Sequence, residues 1–148
     1  MNTPDPFNLE RFLAAQSGVH EHALAELRSG CKQSHWMWFV FPQLAGLGHS
    51  ARAQRYAISD LDEARAYLAH PVLGARLDEC AAVLEGLDPS LSASDIFGYP
   101  DDLKLRSCLT LFARAAGPGS IFERLLDRYF AGQPDDRTVA LLQLQGRT

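Results

Sequence analysis

Leu105, Cys108, Leu109 and Phe112 stand at i, i+3, i+4 and i+7, the spacing that gathers four apolar side chains on one face of a helix and leaves the other face to solvent. The same period returns along most of the chain. Val19, Ala23, Leu24 and Leu27 share a face ahead of Gly30, and Val72, Leu73, Leu77, Cys80, Ala81 and Leu84 share another between Pro71 and Gly86. Pro6 and Pro71 suit first turns of helices, Gly30 and Gly86 suit stops, and Ser59 is placed to cap the stretch 59–70. Further helical stretches are predicted over 50–57, 120–130 and 135–145. The expected fold is therefore mainly α, one helical domain over residues 1–148 with about seven helices and short connections.

One stretch breaks the period. Residues 35–41, HWMWFVF, are apolar and aromatic almost throughout and end at Pro42, a pattern that suits a short buried extended segment as well as a buried helical turn. In an extended segment Trp36 and Trp38 share one face and Met37 and Phe39 the other, so that one pair lines a pocket while the other anchors the core. The competing reading puts all four in the core. Lys32, Ser34 and His35, immediately before the run, are harder to explain as packing and are expected at the rim of any pocket the tryptophans line.

Composition sharpens this. Of the 14 basic residues only Lys32 and Lys104 are lysine, and both fall in dense polar–aromatic segments. Lysine is a compact charge that holds an anion or changes protonation state on desolvation, where arginine stays charged. Around Lys104, the residues Asp101 and Ser107 follow at helical steps and form a polar stripe beside the apolar face. His35, Asp101 and Lys104 are the candidate acid–base groups. Lys32, Ser34, Trp36, Trp38, Gln43, Ser50 and Ser107 are the candidate ligand contacts. Ser50 is placed to cap a helix that also carries Arg52 and Arg55, after a Gly-x-Gly turn that is neither a dinucleotide fingerprint nor a P-loop.

A net charge of −4 argues against nonspecific nucleic-acid binding, which needs clustered positive charge, but leaves room for one small anion at a local patch. No His/Cys spacing proposes a metal, although His35, His49 and Asp101 could converge in space, and no organic cofactor is indicated. His20 and His22 cannot chelate together on a helix and are expected in solvent. Cys31, Cys80 and Cys108 are odd in number and widely spaced, as for buried thiols of a reducing compartment. The first six residues carry an acid and two prolines before any apolar run, unlike a secretory signal, and no apolar run approaches the ~20 residues of a membrane span. A cytoplasmic protein is expected.

The blocks LRSGCKQSHWMWFVFPQLAGLGHSARAQRYAI, EARAYLAHPVLGARL, DIFGYPDDLKLRSCLTLF and DDRTVALL resemble the bacterial family known as domain of unknown function 1810, whose members often carry the misapplied label calpastatin. The likeness runs from about Phe12 to Leu142. It implies a mainly helical bacterial protein and brings no activity with it. Cys108 stands where the family pattern has a serine, which counts against a required hydroxyl there. In size, helicity and its tryptophan-rich polar segment the chain is also similar, more remotely, to helical proteins that handle ADP-ribose and related N-glycosides. That likeness implies an N-glycosidase or ADP-ribose-processing hydrolase, but the acidic residues of that superfamily do not align here. The resulting expectation is binding, with hydrolysis as an extension, of a nucleotide-like or ADP-ribose-like small molecule in a Trp-lined polar pocket. The rival expectations are a noncatalytic protein-interaction domain and a purely structural core.

Overall fold

A computed structural model describes residues 4–146. Ten helices follow one another in it: α1 Glu10–Gln16, α2 His20–Arg28, α3 Met37–Val40, α4 Ala51–Arg55, α5 Leu61–Ala69, α6 Leu73–Glu85, α7 Ala93–Phe97, α8 Asp101–Ala116, α9 Ile121–Phe130 and α10 Asp136–Gln145. The fold is all-α. Among the described residues the only β-pairing is an isolated parallel bridge between Leu44 and Ile58. No helix among them is long and apolar enough to cross a membrane.

The longest helix, α8, forms the axis of the packing, because it is buried on more than one face. Leu105, Ser107, Cys108, Leu109, Thr110, Leu111 and Phe112 are all buried, and α5, α7, α9 and α10 pack around it. Helix α6 then joins α2, α5 and α9. Two buried polar side chains on α8 are satisfied within its own backbone, Ser107 Oγ donating to the Leu103 carbonyl at 3.2 Å and Thr110 Oγ1 to that of Arg106 at 2.8 Å. Local chemistry starts the helices. Ser50, Asp60, Ser92, Ser120 and Asp135 each accept a backbone N–H three residues on, satisfying donors that a helix N-terminus otherwise leaves open. At the α5–α6 corner, a Cβ on Gly74 would lie 2.1 Å from the Leu68 carbonyl oxygen, so only glycine lets the two helices approach so closely.

Several expectations are corrected here. The segment 35–41 is not extended: Met37–Val40 form a single helical turn, and Trp36 and Met37 are both buried while Trp38 and Phe39 are half-buried. The division between core and surface therefore runs between neighbouring pairs and not between alternate residues. Helix α7 lies outside the stretches the apolar spacing predicts and is started by a reciprocal capping box between Ser92 and Asp95. Ser59 does not cap α5; Asp60 does. Glu10 and Leu73, not the prolines, begin α1 and α6. His20 is buried and shares a 2.8 Å bond with Glu79, and Cys31 is exposed while Cys80 and Cys108 are buried.

Candidate functional site

Helix α2 ends at Arg28, and Gly30, with φ +73°, turns the chain into the loop that carries Lys32, Ser34 and Trp36. An L side chain at that φ would be strained. The loop is wound on one carboxylate. Glu26 accepts the backbone N–H groups of Gln33 at 2.8 Å and Ser34 at 2.9 Å, the Ser34 hydroxyl at 2.5 Å and the Trp36 indole N–H at 2.9 Å. Burial works to raise the Glu26 pKa, but these four donors outweigh it and hold the carboxyl at about 2. Hydrogen bonds to the charged form dominate here.

Lys32 is pinned from several sides. Its ammonium donates to the Ser34 carbonyl at 2.6 Å, pairs with Asp101 Oδ2 at 2.8 Å and lies 4.9 Å above the Trp36 ring. Its backbone N–H donates to the Ile96 carbonyl on α7 at 2.7 Å. The other oxygen of Asp101 meets Lys104 Nζ at 3.5 Å, and that ammonium stands 5.2 Å above the ring of Trp38. One carboxylate in the first turn of α8 thus spaces the chain's two lysines, each over one tryptophan. The Lys32 side chain is 7 % exposed and that of Lys104 27 %, so Lys104 is the one that reaches solvent.

The Trp38 ring carries a second cation, the Arg52 guanidinium at 5.2 Å. Lys104, which lies over that ring, also lines a hollow of about 290 Å3 with Gln43, Leu47, Gly48, Pro100, Leu103, Arg106, Ser107, Asp135 and Arg137. Pro100, Leu103, Lys104 and Ser107 form the α8 wall, at i, i+3, i+4 and i+7. The opposite wall is the loop after α3, which turns close against α4: a Cβ on Gly48 would meet the Ala53 Cβ at 2.6 Å. Arg137 closes one end, donating to the Gly46 carbonyl at 3.4 Å.

The sequence-predicted residues are thus sorted into groups. Lys32, Asp101, Lys104, Trp36 and Trp38 come together in one connected arrangement, and Gln43 and Ser107 line the hollow that Lys104 enters. His35 does not join them: it is exposed and lines a different hollow of about 320 Å3 with His22, Ser34, Trp36 and Phe39. Ser50 is exposed, and its hydroxyl is occupied in capping α4. His49 is likewise exposed, and among the described residues no three His, Cys, Asp or Glu side chains gather as a metal ion would need. Sequence reasoning missed Glu26, Arg106 and Arg137. Glu26 carries no local signal, and the two arginines look like the solvent-facing arginines used throughout this chain.

Comparisons with known proteins agree with the architecture. The family described as "Protein of unknown function (DUF1810)" matches residues 6–142. The crystal structure of the conserved hypothetical protein Rv1873 from Mycobacterium tuberculosis superposes with a TM-score of 0.91 at 54% identity, over 94% of this chain and 99% of that one. No curated protein matches.

Proposed function

Since this chain belongs to the DUF1810 family of proteins of unknown function, which brings no reaction with it, we propose from its own side chains that it binds a nucleotide-like small molecule at Trp38. The observation that carries the reading is the half-buried Trp38 ring with two cations over it, Lys104 and Arg52 each at 5.2 Å, the first of which also lines an open hollow. An aromatic face accepts a planar ring, and flanking cations draw a ligand that also carries negative charge. The remaining parts have supporting roles. Asp101 fixes Lys104 against Trp38, and Lys32 and Glu26 hold the loop behind it. Gln43 and Ser107 offer polar atoms to the ligand from the walls of the hollow.

The reading extends to binding and not to hydrolysis. Each carboxylate oxygen of Asp101 holds an ammonium group, so the role its contacts support is to position the two lysines. His35 opens onto the other hollow.

Tryptophan fluorescence and titration calorimetry with AMP, ADP-ribose and NAD test the proposal. Saturable binding of at least one of them, weakened at least about tenfold in Trp38→Ala and in Lys104→Ala while the circular dichroism of the fold persists, is the expected result. Absence of heat and of fluorescence change with all of them would overturn it. A second reading, as a protein-interaction surface, is favoured by one observation: Leu103, which lines the hollow, and Tyr99, the residue before its lining Pro100, are 46% and 81% exposed. It predicts a stoichiometric partner released by Tyr99→Ala with Trp38 intact.

A further inference from the structure

We propose that the hollow between α8, the loop 43–48 and the start of α10 is a phosphate subsite, and that the ligand is a phosphate monoester whose ring lies outside the hollow on Trp38. This rests on the ring-binding reading above and chooses within it: a nucleoside monophosphate, not ADP-ribose, fits.

The first ground is charge. The lining holds three cations, Lys104, Arg106 and Arg137, and one carboxylate, Asp135, an excess of two positive charges on a chain whose net charge is −4. Asp135 is occupied: its Oδ2 accepts the Thr138 N–H at 2.9 Å and hydroxyl at 2.6 Å as the N-cap of α10. A phosphate monoester carries about −1.5 to −2 at neutral pH, which matches that excess; an internal diphosphate carries a similar total, so the choice between them rests on size. Two other hollows have the opposite sense. One is edged by Asp5 and Glu10 and another by Asp60 and Asp62, and both would repel an anion.

The second ground is unused hydrogen-bonding capacity. Arg106 donates Nε to the Gln133 carbonyl at 2.9 Å and lies 5.7 Å over the Phe130 ring, and among the described residues its two terminal nitrogens have no protein hydrogen-bond acceptor. Arg137 makes one bond, a long one of 3.4 Å. By contrast the enclosed Arg11 guanidinium donates to four backbone carbonyls and to Glu63; what sets Arg106 and Arg137 apart from the chain's other arginines with spare donors is that both line one hollow. Two guanidinium forks with free donors, brought to one hollow from α8 and α10, suit phosphate oxygens.

The third ground is size. At about 290 Å3 the hollow sits at the bottom of the ~300–1,000 Å3 range of small-molecule sites, so it takes one end of a ligand. Lys104 belongs to both parts, lining the hollow while its ammonium lies over Trp38. The ring and the phosphate of one molecule can therefore straddle it.

Titration calorimetry with AMP, adenosine, ribose 5-phosphate and ADP-ribose separates this inference from the reading it rests on. AMP is expected to bind at least about tenfold tighter than either adenosine or ADP-ribose. Arg106→Ala and Arg137→Ala are each expected to weaken AMP by about tenfold or more and to leave adenosine unchanged, as for loss of charge-assisted bonds. Arg137 is exposed, so its variant reports on binding even where Arg106→Ala compromises the fold. Adenosine or ADP-ribose binding as tightly as AMP would overturn the phosphate subsite and leave the ring site standing. Ribose 5-phosphate binding with sensitivity to Arg137, but with no response to adenosine or to Trp38→Ala, would uphold the subsite and overturn the ring. No binding of any of the four would overturn both.

Discussion

Trp36 donates its indole N–H to Glu26 at 2.9 Å, so the largest buried aromatic in the molecule is oriented by a carboxylate on another element. That bond, with the three others Glu26 accepts, makes the carboxylate the post on which residues 33–36 are wound. A carboxyl held at about 2 against an ordinary 4.5 links stability to pH. Its folded pKa lies below its unfolded value, so the stabilisation is fully present above about pH 4.5 and is lost as pH falls towards 2. A shift of this size corresponds to at most roughly 3 kcal/mol, less where solvent reaches the group. Glu26→Gln is therefore expected to lose about 1–3 kcal/mol at pH 7, with the gap to wild type closing between pH 4.5 and 2. Urea denaturation of both proteins across that range is the measurement, and a gap independent of pH would refute the linkage.

The ion pair of Lys32 and Asp101 predicts a non-additive result. Lys32 is almost wholly enclosed, so Asp101→Asn leaves an ammonium whose remaining contacts are the Ser34 carbonyl and the Trp36 ring. Removing one partner of a buried pair costs about 3–5 kcal/mol, and replacing both by apolar groups of similar size is often close to neutral. Asp101→Asn should fall at the lower end of that range, because Lys32 keeps two contacts. Lys32→Met combined with Asp101→Leu should cost less than the sum of the single changes, by at least about 1 kcal/mol in a double-mutant cycle.

Thiol reactivity follows burial. Cys31 is exposed, whereas burial pushes Cys80 up to about 12 and Cys108 well above the ordinary thiol range. The thiolate is the reacting species. A disulfide reagent at pH 8 is expected to label one thiol of the three quickly in the folded protein and all three in denaturant. Rapid labelling of a second thiol without denaturant would contradict the packing around α8.

The helices with a sustained apolar face were legible in the sequence because burial on one side imposes a period of 3.6: α2, α6 and α8 follow from Leu24, Leu77 and Leu109 and their neighbours. The single turns α3 and α7 were not, since four or five residues are too few to display that period; the equally short α4 was marked instead by its cap, Ser50, after the Gly-x-Gly turn. The capping pair Ser92 and Asp95 was the available signal for α7. At the site, the two lysines stood out by rarity and Asp101 by its spacing to Lys104. The Lys32–Asp101 pair joins residues far apart in the chain, and Glu26, Arg106 and Arg137 enter only through packing between elements. Spacing along one helix is readable from sequence; convergence between helices is not.

The two tryptophans should respond in opposite ways. Trp36 is 1% exposed and packs its ring against Phe41 and Phe97 at 6.1 and 6.5 Å, so Trp36→Ala opens a cavity in the core and is expected to cost about 3–5 kcal/mol. Trp38 is half-buried and carries two cations on its ring. Trp38→Ala leaves a gap that water fills and should cost less, about 1–2 kcal/mol, the removed surface being only partly out of water. The ligand response should reverse the order, with AMP affinity falling at least about tenfold in Trp38→Ala. Thermal denaturation of both variants with and without AMP makes the comparison. A Trp38→Ala protein as destabilised as Trp36→Ala, and still stabilised by AMP, would assign Trp38 to the core and remove it from the site.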